Sequence, residues 1–447
     1  MTATPEPLRI AIHIDVTPGL AGGTAQSTQG LVRWLGQLEG PEHYLLSAQT
    51  PQQAEWIGCY RGQNQEVVCR RSKSPHQGTA ASNGSTVVNT LRERTKGALR
   101  PAVETIRRVM GRLTPQLPTL PLSDGYYESL ECDVLHFPTQ PFILCALPTI
   151  YNPHDLQHLH YPQFWTSWEL ARRETVYRGA CQFSNTVVVG SRWIKDDVVR
   201  QYQVSPDKVQ IIPWAPPTVQ YPPVDAVQIE EVRQRLHLPA TYALYPAVTW
   251  PHKNHLRLLD GLAALRDRRG LAVNLVCCGA QDEFWPKIEQ RIAQLNLAPQ
   301  VRFLGFLSET DLRAVYRLAQ FLVLPSLFEA DSCPIHEAWS EGIAVASSNL
   351  TGLPDQVGDA GLLFDARDAS AIADAMHRMA TDADLRRQLI ERGYRRVGDF
   401  DWKRTAKAFR AVYRRAAGAA LTDEDRWLLS WDWMREPGKK PDCQETP

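Results

Sequence analysis

The sequence reads as two doubly wound, Rossmann-like parallel-sheet α/β domains facing a cleft. Three features point there. Short apolar runs alternate with helix-length segments over most of the chain, the pattern of βαβ units. The alternation breaks where Pro213, Pro216, Pro217, Pro222 and Pro223 crowd together, a density that no helix or central strand accommodates. With 447 residues, 43% hydrophobic and 22% charged, the chain is long and apolar enough for more than one core.

Taken in order, Leu8–Ile14 is a largely apolar strand, followed by the glycine loop Gly19-Leu-Ala-Gly-Gly23 and a helix-like segment to Leu38. Residues 62–125 read as an irregular insertion, rich in Gln, Ser, Thr, Gly and Pro. Within it Leu99, Val103, Ile106, Met110 and Leu113 recur at helical spacing after Pro101, a residue suited to a first helical turn. Strands resume at Asp133–Phe137, Leu147–Tyr151, Thr186–Val189 and Val209–Ile212, with a helix from about Arg192 to Gln201. Beyond the prolines, strands fit Tyr242–Pro246, Val273–Cys278, Val301–Leu304, Phe321–Leu324 and Ile343–Ala346. The boundaries are therefore 1–215 for an N-terminal domain, 216–227 for a linker and 228–401 for a C-terminal domain. A helix at 402–417, able to cross back to the first domain, and a tail at 418–447 complete the chain.

Composition removes several functions. Lys plus Arg equals Asp plus Glu at 49 each, without the positive surplus that nucleic-acid binding draws on. No run reaches the ~18 apolar residues of a membrane span, and no basic segment followed by an apolar stretch marks a secretory signal at the N-terminus. The nine cysteines have no C-x-x-C spacing. The small apolar neighbours of Cys277 and Cys278 predict buried, reduced thiols and a cytoplasmic protein.

Three segments carry residues suited to chemistry. In Pro325-Ser-Leu-Phe-Glu-Ala-Asp-Ser-Cys-Pro-Ile-His-Glu337, Glu329 leaves a strand and Pro334 fits the N1 position of the next helix, putting Glu337 in its first turn. Two carboxylates accept hydrogen bonds from hydroxyls, and the helix N-terminus between them favours phosphate. Vicinal hydroxyls plus a diphosphate describe a nucleotide sugar. The plainer alternative is a solvated Glu329 and a Glu337 that only complements the helix dipole. In Pro251-His-Lys-Asn-His255, Lys253 opens a helix at a strand end and could neutralise a departing diphosphate, or simply be solvated. His154, His158 and His160 look like metal ligands taken bare, but the H-E-x-x-H pattern is absent. The triplets Asp382-Ala-Asp384 and Asp423-Glu-Asp425 read as helix-capping or solvated residues. No metal and no cofactor are therefore expected.

The segment from Pro325 resembles the signature of retaining, two-domain GT-B glycosyltransferases, specifically family 4. Pro325-Ser326, Glu329, Pro334, Glu337-Ala338, Gly342, Ser347 and Gly358-Asp-Ala-Gly-Leu-Leu-Phe364 stand in register with its Glu-x7-Glu pattern and the glycine and acidic segments after it. The likeness implies that Glu329 contacts the donor sugar and Glu337 the ribose. Ser332, Cys333, Pro334 and Ile335 would then lie along the donor, and Gly22 and Gly23 would allow a close approach to its phosphate. Two departures stand out. Ala330-Asp331-Ser332 replaces Gly-Phe-Gly, setting a charge beside the expected phosphate, and Ala247 stands where the family pairs an Arg with Lys253. His252 is the candidate to supply that second charge.

His154-Asp-Leu-Gln-His-Leu-His160 resembles a stretch shared by a family 4 subgroup that includes bacterial O-antigen mannosyltransferases. It implies that His154 contacts the reacting sugar or phosphates, with mannose as the hexose. His158 and His160 line the acceptor side or are packing histidines. The implied enzyme transfers a hexose from a nucleotide sugar to a glycan or lipid-linked acceptor, without metal. A nucleotide-sugar epimerase, another GT-B enzyme such as a sugar phosphorylase, or a non-enzymatic nucleotide-sugar binder would share the cleft. Finally, Arg92, Arg94, Lys96, Arg100, Arg107, Arg108 and Arg112 make the stretch 91–113 basic. It reads as a solvated face or as a peripheral contact with anionic lipid on the inner face of the membrane.

Overall fold

The computed structural model describes residues 7–16, 22–70 and 118–434. Strands β1 (Arg9–Ile14), β2 (His43–Ala48), β3 (Gln65–Cys69), β4 (Val134–Phe137), β5 (Thr149–Tyr151), β6 (Thr186–Val189) and β7 (Val209–Ile211) form one sheet. Its order is β3-β2-β1-β4-β5-β6-β7, with every adjacent pair parallel. A second parallel sheet contains β8 (Ala243–Pro246), β9 (Leu275–Cys278), β10 (Val301–Phe303), β11 (Phe321–Leu324), β12 (Ala344–Ser348) and β13 (Leu362–Phe364). It runs β10-β9-β8-β11-β12-β13. Helices cover both faces of each sheet, so the central strands are buried throughout and read as continuous apolar runs (Thr186-Val-Val-Val189, Phe321-Leu-Val-Leu324).

Strand order reverses between β1 and β4 in the first sheet and between β8 and β11 in the second. Loops diverge there and leave a crevice at the carboxyl ends of the strands, where ligands of such sheets bind. The loops after β8 and β11 carry Lys253 and Glu329, and those after β4 and β5 carry Thr139 and His154. The two crevices face each other.

The segment read as irregular from residue 62 corrects in its first part. Gln65–Cys69 is the edge strand β3, hydrogen-bonded to β2 from Tyr44↔Gln65 to Ala48↔Cys69. Its polar residues hid it, because an edge strand buries only one side. The apolar stripe and basic run of 91–113 lie outside the described residues.

The C-terminal helix Trp402–Ala416 leaves the second sheet and packs across the helix Gly22–Leu35 of the first. A Cβ on Gly30 would sit 2.1 Å from the Trp402 ring, so this crossing requires glycine there. Tyr413 pairs with His136 Nδ1 at 2.9 Å, and Arg414 with Glu42 at 2.5 Å and Asp425 at 2.8 Å. The following residues are not a free tail. Asp423–Ser430 is a helix, and Asp425, Leu428 and Trp433 are buried. Buried Asp425 accepts from Arg414 and from the Thr422 amide, so the second D-x-D triplet serves packing. The first serves capping, since Asp382 accepts from the Leu385 amide at 2.8 Å.

Candidate active site

Lys253 is aimed by its neighbours. Pro251–Lys253 is a single tight turn closed by Asn254 in the left-handed region (φ 63°). The Asn254 amide group donates to the Pro325 and Ala366 carbonyls at 2.9 and 2.8 Å, and Tyr245 donates to the Lys253 carbonyl at 2.6 Å. The turn is thus tied to the end of β11. Lys253 Nζ then donates to Glu329 Oε1 at 2.6 Å, with both side chains mostly buried. The Glu329 backbone is clamped by Thr351, whose hydroxyl accepts from the Glu329 amide at 3.1 Å and donates to its carbonyl at 2.8 Å.

The helix carrying Glu337 begins one residue earlier than expected. It spans Cys333–Ser340, so Pro334 is second and Glu337 lies in the second turn. Glu337 is buried, and both carboxylate oxygens accept from tyrosines, Tyr221 at 2.6 Å and Tyr316 at 2.5 Å. Burial raises its pKa while the two hydroxyls oppose that rise. Each oxygen keeps a lone pair for a further donor. Tyr221 comes from the proline-rich linker and had no sequence signal, because a lone tyrosine among prolines carries no periodicity.

The remaining expected donor residues divide. Cys333 and Pro334 line the cleft, as does Ser332. The Ser332 amide is spent on Gln356 Oε1 at 2.9 Å, and its carbonyl accepts from Gln356 Nε2. Burial pushes the Cys333 thiol well up, which keeps it protonated. The Ile335 side chain instead lies in the core, and its amide donates to the Ser332 carbonyl. Gly22 and Gly23 start the helix Gly22–Leu35, and a Cβ on Gly23 would stand 3.7 Å from Cys333 Sγ. Two helix N-termini, one from each domain, therefore meet across the cleft.

His252 cannot replace the missing arginine. It is buried against Trp250, and burial, then the Lys253 cation, holds its pKa down to about 2. The ring is neutral at pH 7. Asp331 resolves differently from the expected repulsion. It faces the first domain at Gly190, where a Cβ would meet Asp331 Cβ at 3.2 Å. Both carboxylate oxygens are buried without a well-formed hydrogen bond. Burial pushes the pKa up to about 7, tempered by the Trp214 and Ser332 amides. Near neutrality a bound proton thus removes much of the charge that would oppose a diphosphate.

This has a stability consequence. Unfolded, Asp331 loses its proton near pH 4; folded, it holds it to about 7. The unfolded state binds fewer protons between those values, so the wild type should lose stability relative to Asp331→Asn as pH rises from 4 to 7. The gap grows by up to about 1.4 kcal/mol per unit and is constant above. Thermal melts of both proteins between pH 4 and 8 measure it, and parallel curves would contradict it.

The three histidines turn to three different partners. His154, in the left-handed region (φ 63°), donates from Nε2 to the Pro138 carbonyl at 2.9 Å and stacks on Trp214. Burial lowers its pKa, so the ring is neutral with Nδ1 as its acceptor. His154 lines the cleft. His158 and His160 do not. His158 is buried beside Tyr177 with Glu174 at 3.4 Å. His160 pairs with Asp197 at 2.7 Å and packs on Phe328. The acceptor-side expectation for these two is corrected to packing, because carboxylates hold both rings away from the opening. His160, Tyr161 and Trp193 enclose Phe328, the residue before Glu329. A side chain from the second domain is thereby locked into the core of the first.

The cleft between the domains holds about 1370 Å³, more than the roughly 300–1,000 Å³ of a pocket for one small ligand. Lys253, Glu329 and Glu337 line one wall; Thr139, Asn152 and His154 line the other. A parallel-sheet domain pair with this cleft defines the GT-B fold. HepE of Anabaena, solved with UDP and glucose, has that fold and superposes with a TM-score of 0.64 at 15% identity, covering 91% of this chain and 100% of its own.

Family comparison agrees. Residues 61–215 match the Glycosyltransferase Family 4 domain and residues 228–396 match Glycosyl transferases group 1. The chain belongs to the GT-B glycosyltransferases, with a family 4 domain followed by a group 1 domain. Among its relatives, O-antigen chain mannosyltransferase B of Escherichia coli is 26% identical over 56% of this chain and 66% of its own length. D-inositol 3-phosphate glycosyltransferase of Corynebacterium glutamicum is 27% identical over 61% and 68%. The chain thus spans about two thirds of each relative. Among the described residues, no helix is long and apolar enough to cross a membrane.

Proposed function

We propose that the chain is a retaining transferase that moves a hexose, mannose first among candidates, from a nucleotide diphosphate sugar to a hydroxyl of a glycan or lipid-linked acceptor. The observation that carries this reading is the Lys253–Glu329 pair, in one cleft with two facing helix N-termini and the buried Glu337. Lys253 and the helix ends are fixed positive charge where a leaving diphosphate gathers negative charge, and fixed donors of this kind are usually the largest catalytic contribution. Glu337 meets the ribose and Glu329 the sugar hydroxyls. Nδ1 of neutral His154 accepts from a hydroxyl of the sugar. Mannose rests on the likeness of the His154 segment and on the name of the O-antigen relative. The UDP and glucose held by HepE support a nucleotide sugar as donor.

The acceptor oxygen bonds to the anomeric carbon on the face from which the phosphate leaves, the carbon–oxygen bond to phosphate breaks, and the acceptor proton passes to the departing phosphate oxygen. Retention follows from the family likeness. Contact between domains through Phe328 keeps water from the donor.

Incubation with a panel of nucleotide sugars and a lipid-linked glycan tests the reading, with the anomer of the product read by NMR. Transfer with retention is expected, at a rate unchanged by a chelator, because protein cations stabilise the leaving group. Interconversion of the donor alone would point to an epimerase, binding without turnover to a non-enzymatic protein. Loss of activity with rescue by manganese would overturn metal independence.

A further inference from the structure

The first-domain wall of the cleft carries charge that the donor does not need. Arg172 and Arg173, on the helix Ser167–Phe183, both line the cavity. Among the described residues neither guanidinium forms an ion pair. Arg173 lies over the Trp165 ring at 3.8 Å and donates from Nη1 to the Tyr177 hydroxyl at 2.8 Å, while its buried Nε has no partner. Arg172 lies over Trp168 at 5.7 Å, and that indole is 56% exposed.

The carboxylates nearby are committed elsewhere. Glu169 closes the helix start, accepting from the Thr166 amide and hydroxyl at 2.9 and 2.7 Å. Glu174 is held by Arg178, Tyr202 and His158. Asp155 accepts from the Gln157 amide at 2.9 Å. The protein has therefore oriented one guanidinium with an aromatic ring and a hydroxyl and set a second beside it. Glu169 acts on both only at longer range and, among the described residues, no carboxylate is in ion-pair contact with either. A planar guanidinium matches the oxygens of a phosphate. The Arg172 guanidinium lies over the exposed Trp168 ring, which stands beside the cleft and not in its lining, an apolar face for a hydrocarbon chain leaving the cleft.

We propose that Arg172 and Arg173 form an acceptor subsite that selects a phosphate-bearing acceptor, a glycosyl phosphate or diphosphate, over a neutral one. This rests on the transferase reading, because it assigns the wall opposite Lys253 to the acceptor. The phosphate comes from a lipid-linked diphosphate or from a soluble sugar phosphate, and the aromatic face is where the two differ.

The test uses the full chain with the donor half filled by a saturating nucleoside diphosphate, so that a phosphate probe cannot occupy the Lys253 side. Calorimetry then compares methyl mannoside, mannose 1-phosphate and citronellyl diphosphomannose. The two phosphorylated probes should bind at least about tenfold tighter than the neutral one, the range of one or two hydrogen bonds to a charged group. Arg172→Gln and Arg173→Gln should each remove most of that preference. Methyl mannoside and nucleotide binding should stay within about twofold, and Arg173→Lys should recover part of the loss. A further gain for the prenyl probe assigns the phosphate to a lipid carrier; equal binding assigns it to a soluble sugar phosphate. Equal affinity for neutral and phosphorylated probes overturns the subsite, as does a parallel loss of all ligands in the variants. If the wild type binds no nucleoside diphosphate, the transferase reading falls and this proposal falls with it. If it binds nucleotide yet ignores the phosphate, only the acceptor proposal falls.

Discussion

Lys253→Ala is expected to lower turnover at least about a hundredfold, because a fixed charge aimed at the leaving group contributes several kcal/mol to the transition state. The structure sharpens the expectation in two ways. Lys253 is the ion partner of Glu329 at 2.6 Å, so its removal also frees the carboxylate assigned to the donor sugar. And no second cation stands in reserve on that loop, since Ala247 replaces the arginine and His252 is buried and neutral. His252→Ala should accordingly leave the rate within a few fold. Steady-state kinetics on both variants decide the matter. Near-normal turnover without Lys253 would mean that another group holds the diphosphate, and a large loss in the His252 variant would restore a charge to that ring.

Glu337→Ala is expected to weaken nucleotide binding by about 10- to 100-fold, the range of lost hydrogen bonds to a charged group. Glu329→Ala should act mainly on turnover. A complication comes from the structure itself. Glu337 also ties Tyr221 of the linker and Tyr316 to the helix Cys333–Ser340. Its removal leaves two hydroxyls without their acceptor in a buried place, at about 1–3 kcal/mol each. Affinity by titration and stability by thermal melting therefore have to be read together. Tyr221→Phe and Tyr316→Phe supply the control, since each removes a donor but keeps the carboxylate. Should Glu337→Ala lower the melting temperature but leave nucleotide affinity unchanged, Glu337 is a structural tie and the ribose contact must be sought elsewhere.

Most of the strands were legible because a buried parallel strand has no polar face to disguise it. Phe321-Leu-Val-Leu324 and Thr186-Val-Val-Val189 show this plainly. The edge strand β3 was not, because it opens on polar Gln65, whose buried side chain donates to the Val32 carbonyl and accepts from the Gly62 amide, and on the exposed Glu66. Nor were β2 and the short β13 read as strands. Lys253, Glu329 and Glu337 were legible for a different reason. All three follow strands that flank the point where strand order reverses. Glu329 and Glu337 sit close enough along the chain to form a readable pattern, whereas Lys253, 76 residues before Glu329, was readable only as a lysine at a strand end.

What the sequence by itself determined is this local layer: the alternation of elements, the proline-rich break and the pair Glu329 and Glu337 on one strand-to-helix loop. The tertiary structure alone decided which charges survive and which side chains face the cleft. Burial made His252 neutral and moved Asp331 to about 7, and burial is a property of neighbours distant in sequence, such as Leu327 for His252 and Gly190 and Trp214 for Asp331. Packing took His158 and His160 out of the site, turned Phe328 into a bolt between domains, and brought Tyr221 to Glu337 across a sequence separation of 116 residues. It also left Arg172 and Arg173 on the opposite wall without an ion pair among the described residues. Local propensity and spacing act over a few residues along the chain, whereas desolvation and charge pairing act over a few ångströms in space, and only the fold relates the two.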